Sequence, residues 1–317
     1  MGRVEERGRK KTKKQHRKTK FILWTLVILI LAGAGYAYYQ FKQGINMADV
    51  KAPKDKSENE DSFKGEEVNY GKINVLFIGS DTRGKETGLS DSIMIAHYDQ
   101  NSHIPKLVSI MRDTYINIPG RGMSRINAAY SSGGAELLRQ TIKENFDITI
   151  NYYAIVDFAG FSKVVDIIAP DGIEVDVPHR MSEGIDMTLE PGRQVLHGDK
   201  LLGYVRYRKD SQGDFGRVER QQEVIGKLKN EAMSVTSIMK LPKLIGVINP
   251  YVDTNIDSGT IFSLSKDVLF GNAADTQNLR IPVEGSFWDA RHNGAAVLEI
   301  DLEKNKQALQ EFLDSKN

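Results

Sequence analysis

Apolar and polar positions divide the chain into two unlike parts. Residues 21–39 pass without a formal charge and are rich in Leu, Ile, Val, Ala and aromatic side chains. As a helix, this run would be roughly 28 Å long, close to the hydrocarbon thickness of a bilayer. No later segment is as long and as apolar. Residues 40–70 are polar and mixed in charge, too poor in apolar side chains to fold alone, and are predicted to be a flexible linker with ends roughly 30 Å apart. Beyond them come short apolar runs bounded by polar or turn residues. Runs 73–79, 92–98 and 106–111 predict strands, as do 152–156, 172–177 and 279–283. Helical patterns fall at 135–145, behind a turn at Gly133-Gly134, and at 158–168, 217–233 and from 302 onward. This alternation predicts one α/β domain from residue 71, with a core over 71–233 and a C-terminal part over 234–317, built as a layered sheet with helices packed on it.

Charge gives the apolar run a direction. Residues 1–20 hold ten Lys or Arg against two acids, a local charge of +8 in a chain whose net charge is +1. Such a basic tail keeps its end of a spanning helix in the cytoplasm, and Trp24, Tyr36, Tyr38 and Tyr39 stand near the two interfaces. The expectation is a single-pass protein of the cell membrane with its C-terminal domain outside, as in a Gram-positive-type bacterium. A cleaved signal peptide ending near Ala32 or Ala34 competes, but the run is long for a signal core and bulky tyrosines follow. A basic arm for nucleic acid explains the charge less well than the hydrophobic span behind it, so no nucleic-acid partner is expected. The chain has no Cys, and its outer part, about 250 residues, is large enough to be held by a hydrophobic core alone.

Three polar clusters carry the candidate chemistry. One holds Asp81, Arg83 and Asp91, and a second Arg112 and Asp113. The third runs from Arg206 and Arg208 through Asp214 and Arg217 to Arg220 and Gln221. If strands 73–79, 92–98 and 106–111 run up, down and up, then Asp81, Asp91 and Arg112 meet at one sheet edge, where α/β folds commonly bind ligands. Paired carboxylates there suit Mg²⁺, which takes one or two carboxylates together with substrate phosphate. Asp is equally a turn residue, and that plainer reading stands beside the metal. Arg206 and Arg208, two apart, share a face if extended. Arg217, Arg220 and Gln221 share a helical face that continues through Val224 and Leu228. That face suits a phosphate at its mouth and a hydrocarbon deeper in, while an amphipathic helix with a solvated arginine end fits the same pattern. The six His are scattered, and neither a Gly-x-Ser-x-Gly elbow nor a Walker-type loop occurs.

In this order the clusters resemble the LytR–CpsA–Psr family of cell-envelope proteins. The resemblance rests on Asn74 to Asp81, Ser109 to Tyr115, Arg125 to Tyr130, Val156-Asp157-Phe158, Tyr204 to Arg208 and Gly213 to Arg217. From about Ser234 the chain looks closest to the branch labelled regulators of methicillin resistance. The resemblance implies an α/β/α domain with a central mixed sheet. It also implies transfer of an anionic glycopolymer from a polyprenyl-pyrophosphate carrier to a muramic acid hydroxyl of peptidoglycan, with a phosphodiester formed and polyprenyl phosphate released. By position, Asp81 and Asp91 would hold Mg²⁺. Arg83, Arg112, Arg206, Arg208 and Arg217 would neutralise phosphate, with Arg220 beside them and Gln221 completing the pocket. Asp113 or Asp214 would order the cluster or act as base, and Val224 and Leu228 would meet the prenyl chain. Leu89 stands where the family usually has Arg, Arg125 where Lys is usual, and Met111 where Pro is common.

Two other functions compete with the transferase. One is a non-catalytic lipid-binding regulator of the envelope; direct DNA regulation is disfavoured, because twenty cytoplasmic residues cannot form a compact DNA-binding domain. The other is hydrolysis of the pyrophosphate, with water as acceptor at the same site.

Overall fold

The computed structural model describes residues 2–48, 62–69, 71–80, 90–235, 239–270 and 275–315. Helix α1 (Gly2–Met47) runs unbroken for 46 residues, about 69 Å at the usual helical rise. Strands β1 (Lys72–Ser80), β2 (Ser90–Asp99) and β3 (Pro105–Ile110) follow as an antiparallel meander, so the expected up, down, up order holds. A small hairpin, β4 (Tyr115–Ile118) with β5 (Gly122–Arg125), leads into α2 (Asn127–Phe146). Strand β6 (Tyr152–Asp157) then returns parallel to β1. Helix α3 (Phe158–Ile168), the hairpin β7 (Ile173–Val177) and β8 (Gly192–Leu196), and helices α4 (Gly198–Arg206) and α5 (Gly213–Val235) form a second packed unit beside it. The chain continues through α6 (Leu241–Ile248), β9 (Asp253–Thr254) and α7 (Ser258–Phe270) to β10 (Gln277–Ile281). A last hairpin, β11 (Phe287–His292) with β12 (Ala295–Ile300), precedes α8 (Leu302–Asp314). The central sheet has the order β10-β3-β2-β1-β6-β9 and is mixed, because β10 and β6 run parallel to their neighbours β3 and β1.

Alternation along the central strands gives the sheet two unlike faces. Leu76 and Ile78 of β1, Ile93 and Ile95 of β2, and Val108 and Ile110 of β3 are buried in the main core with Leu138, Ile142 and Phe146 of α2 and Leu309 and Leu313 of α8. The residues between them, Val75, Phe77, Met94, Ala96 and Leu107, turn to the other face, where open space lies beneath α5 and α7. Phe77, in a central strand, is still 37% exposed for this reason.

Three boundaries differ from the sequence-based expectation. Helix α2 begins eight residues before Ala135, and Gly133-Gly134 is a kink within it, with Gly134 at φ 64°, a conformation that suits glycine. Residues 62–69, expected within the linker, belong to the domain. Phe63 is buried against Tyr153 with ring centroids 4.9 Å apart, and the Glu66 amide donates to the Ile150 carbonyl. Burying such a ring contributes about 2 kcal/mol toward holding this short segment in place. Finally, α1 extends past the apolar run to Met47 and packs against α6. A Cβ on Gly44 would lie 2.2 Å from the Lys243 carbonyl oxygen, and one on Gly246 would lie 2.2 Å from that of Phe41. Only glycines let the two backbones approach this closely, as at small-residue crossings in membranes. Helix α6 in turn contacts α3 and α7, so the end of the anchor is tied to the domain on the side that bears the open face.

Replacing Gly246 with Leu is expected to separate α1 from α6. Amide hydrogen exchange over 41–47 and 241–248 should quicken at least tenfold, equivalent to about 1.4 kcal/mol, while β1 and β2 keep their protection. Unchanged exchange in both segments would show that the glycine crossing holds nothing.

Candidate active site

The upper edge of the sheet gathers the polar clusters. Asp91 is the second residue of β2, and Arg112 follows the end of β3. The turn carrying Arg112 and Asp113 is fixed by its own backbone: the Met111 amide donates to Ile281, the Thr114 hydroxyl and amide both donate to Met111, and the Asn127 amide donates to the Arg112 carbonyl. Asp214 and Arg217 lie in the first turns of α5, where the acid also suits the helix dipole.

These side chains form one charge network. Arg112 Nη1 donates to Asp91 Oδ1 at 2.5 Å, and its Nε lies 3.5 Å from Asp113 Oδ2 and 3.8 Å from Asp214 Oδ1. Arg217 Nη2 donates to Asp214 Oδ2 at 3.0 Å, and its Nη1 lies 3.8 Å from Asp91 Oδ1. Arg125 closes the outer side on Asp113 Oδ1 at 3.1 Å. Burial dominates the protonation of Asp214 and pushes its pKa up, although Arg217 and Arg112 pull the other way. Burial likewise lowers the pKa of Arg217. Burial also opposes the charge on Arg112, but the nearby Asp214, Asp113 and Asp91 outweigh it and raise that pKa.

A cavity of about 480 Å³ opens at this edge. Arg112, Arg206, Arg208 and Arg217 line it with Asp91, Asp157 and Gln221, so among the described residues its polar end carries a formal excess of two positive charges. Its remaining walls are apolar and include Phe77, Met94, Phe158, Phe161, Val224 and Ile225. A second cavity of about 470 Å³ shares Phe77, Met94 and Ile225 with the first and continues along the same sheet face under α7. The pair forms a long apolar space with arginines at one end.

The structure sorts the expected site residues. Arg206 and Arg208 do meet in the cavity, although Arg206 ends a helix rather than lying on a strand; its guanidinium stacks on Phe158 at 4.2 Å. Arg217, Gln221 and Val224 share the cavity face of α5, and Gln221 is held by a bond to the Val205 carbonyl. Arg220 does not line the cavity. It is buried, donates to Asp210 Oδ2 at 2.9 Å and to the Tyr207 carbonyl, and stands between two tyrosine rings. Three residues on from Arg217, it points to the 207–213 loop, where Asp210 also accepts from the Gln212 and Gly213 amides. Leu228 likewise packs into the core around α3 and α4, and Ile225 takes the cavity position expected of it. Asp113 and Asp214 stand behind the arginines rather than on the cavity wall. Asp81, Arg83 and Leu89 lie outside the described residues. Among the described residues no group of three or more His, Asp or Glu is arranged to hold a metal ion.

Sequence reasoning missed Phe77, Met94, Phe158 and Phe161 as cavity residues. The two-residue period of β1 and β2 could have signalled Phe77 and Met94, because both occupy the face opposite the core.

The profile of the LytR_cpsA_psr family matches residues 35–313, nearly the whole domain and the end of the anchor. This chain belongs to the LytR–CpsA–Psr family. The regulatory protein MsrR of Staphylococcus aureus strain COL is 40% identical over 88% of this chain and 85% of its own length. The Oceanobacillus iheyensis protein TagU, named a polyisoprenyl-teichoic acid–peptidoglycan teichoic acid transferase, is 33% identical over 80% of this chain and 82% of its own. The crystal structure of Bacillus subtilis TagV superposes with a TM-score of 0.65 and 31% identity, covering 78% of this chain and 99% of that one. The family assignment agrees with the mixed α/β fold, with the MsrR-like C-terminal part, and with a single-pass membrane protein whose folded domain lies outside.

The position of Arg220 separates holding the fold from binding phosphate. Its side chain and that of Asp210 are each 7% exposed. Arg220→Met would leave Asp210 buried without its partner and is expected to cost about 3–5 kcal/mol in a urea unfolding titration. Arg206→Ala should leave unfolding within about 0.5 kcal/mol of the parent, because its guanidinium faces the cavity.

Proposed function

We propose that this protein transfers an anionic glycopolymer of teichoic acid or capsule type from a polyprenyl-pyrophosphate carrier to peptidoglycan. The observation that carries this reading is the long apolar space whose one polar end is lined by four arginines. A prenyl chain suits the walls around Phe77, Met94 and Ile225, and a pyrophosphate suits the arginine end. The name and 33% identity of TagU support the same reaction class.

The chemistry follows from placing charge where it develops. A muramic acid hydroxyl of the glycan attacks the phosphorus that bears the polymer. The bond from that phosphorus to the bridging oxygen breaks, a phosphodiester forms, and polyprenyl phosphate leaves with the bridging oxygen. Phosphoryl transfer of this kind needs positioning and charge stabilisation more than covalent help. Arg206, Arg208, Arg112 and Arg217 bind the pyrophosphate oxygens; Arg217 Nε is buried and has no hydrogen-bond acceptor among the described residues, so a phosphate oxygen would satisfy it. Asp214 orients Arg112 and Arg217 through the contacts described above. Asp113, a quarter exposed and on the outer side of Arg112, takes the proton of the attacking hydroxyl.

Asp91 has the hard oxygen donors that Mg²⁺ prefers, and with Asp81 it would hold the ion while phosphate and water supply the other ligands. When bound, Mg²⁺ supplies further neutralisation of the pyrophosphate charge.

The test uses full-length protein in liposomes with a lipid-pyrophosphate-linked polymer, peptidoglycan oligomers and Mg²⁺. Transfer is expected, chelation of divalent ions should abolish it, and Arg112→Ala should lower the rate about 100-fold or more. Full transfer by Arg112→Ala would overturn the site. The pH profile tests Asp214 separately. Its carboxylate must be ionised to hold the arginines, and burial raises its pKa. The rate should therefore fall with acid at a pH above the ordinary Asp value of about 3.9. Asp214→Asn should be slow and lack that acid limb.

A further inference from the structure

The β11–β12 hairpin carries an aromatic and acidic strip that the site described above does not use. The Trp288 indole is 51% exposed, and its Nε1 donates to Glu299 Oε2 across the hairpin, which fixes the ring plane. The other oxygen of Glu299 bonds to His292. His292 stacks on Tyr115 with centroids 4.3 Å apart and planes 3° from parallel. Tyr115 is in turn the cross-strand neighbour of Arg125, which holds Asp113. From Trp288 to His292 the strip runs along four residue steps of the strand, roughly 13 Å, before it reaches Tyr115.

The strip is rigid and joined to the reacting edge. The Leu298 amide donates to the Asp113 carbonyl at 2.9 Å, continuing the hairpin into the turn that carries Arg112. On its opposite face Phe287 and Leu298 pack with Met111, Val218 and Phe215, beside the first turns of α5. Folding has therefore left an indole half in water while its ring plane is held by a hydrogen bond. Core packing does not require this arrangement.

Charge selects the occupant. The cavity end carries a formal excess of two positive charges. Along the strip, Asp113 and Glu299 outnumber Arg125, while Asp289 and Arg291, which alternate with Trp288 and His292, project to the other face of the hairpin. A polyanion is repelled by the hairpin and drawn to the cavity. An uncharged sugar chain suits the hairpin: the apolar face of a pyranose ring lies on the indole, while its hydroxyls and amides meet carboxylate oxygens.

We propose that the strip Trp288–Glu299–His292–Tyr115 binds the uncharged glycan strand of the acceptor and delivers it to Asp113 from the side opposite the lipid cavity. The inference rests on the transferase reading for its direction, and its binding test stands apart from turnover.

Trp24 and Trp288 are the only tryptophans of the chain. In full-length Trp24→Phe protein in detergent, Trp288 is thus a sole fluorescent reporter. Titration with polymer-free peptidoglycan glycan oligomers is expected to change its emission saturably, whereas poly(glycerol phosphate) should not. In the otherwise wild-type chain, Trp288→Ala should raise the glycan KM about tenfold, equivalent to 1.4 kcal/mol, with donor KM unchanged, and Trp288→Phe should recover part of the loss. Emission unmoved by glycan, or moved equally by the polyanion, would overturn the proposal. So would an unchanged glycan KM in an active Trp288→Ala protein, and in that case the transferase reading would survive. Saturable glycan binding in a protein that transfers nothing would leave the strip standing and remove the transferase.

Discussion

Arg217 is buried and Arg112 partly buried at the mouth of an apolar space, where an unpaired charge would be costly. Asp91, Asp113 and Asp214 make their burial tolerable, and the rest of the edge serves that arrangement. The antiparallel run of β1, β2 and β3 returns Asp91 beside Arg112. The first turn of α5 brings Asp214 between the two guanidiniums. Because Asp214 is itself partly buried and its pKa is raised, the network holds its charges through mutual contact. Arg112 and Arg217 with the three carboxylates leave one net negative charge, and the positive excess of the cavity wall comes from Arg206 and Arg208. The interior charges set geometry, and the two outer arginines supply the attraction for an anion.

Much of this was readable before the structure, for physical reasons. Strand directions followed from short connections, and once they were set, Asp91 and Arg112 had to meet. The amphipathic stripe of α5 correctly placed Arg217, Gln221 and Val224. It failed at Arg220 and Leu228, because i+3 and i+4 neighbours diverge around a helix flanked by two different partners, and the stripe cannot tell which flank is empty. The kink at Gly133-Gly134 and the docking of Phe63 also escaped, the first because a local glycine pair marks a turn equally well inside or before a helix. Phe63 is a lone aromatic in a polar stretch, and only the space beside Tyr153 gives it a reason to be buried.

The anchor was legible as a span but not as a docked element. Glycines at 44 and 246 lie about two hundred positions apart, and no local pattern joins them. Their contact changes the picture of the membrane attachment. The helix emerging from the bilayer ends on α6, and α6 touches α7, the helix that covers the far half of the apolar space. Under the proposed reaction, a lipid-linked donor that remains partly in the bilayer would meet the protein next to the apolar space.

The hairpin gives the same edge a second side. Arg112 and Asp113 are adjacent in sequence, yet their side chains belong to different surroundings. Arg112 faces an apolar cavity whose described polar groups carry net positive charge, whereas Asp113 is joined through Arg125 and the Leu298 amide to a strip where acids outnumber bases. The proposed reaction would unite a charged donor with an uncharged sugar chain, and a uniformly positive cleft would draw the polymer into both sites. One peptide bond separates the two environments, and the hydrogen-bonded turn after β3 keeps them from exchanging places.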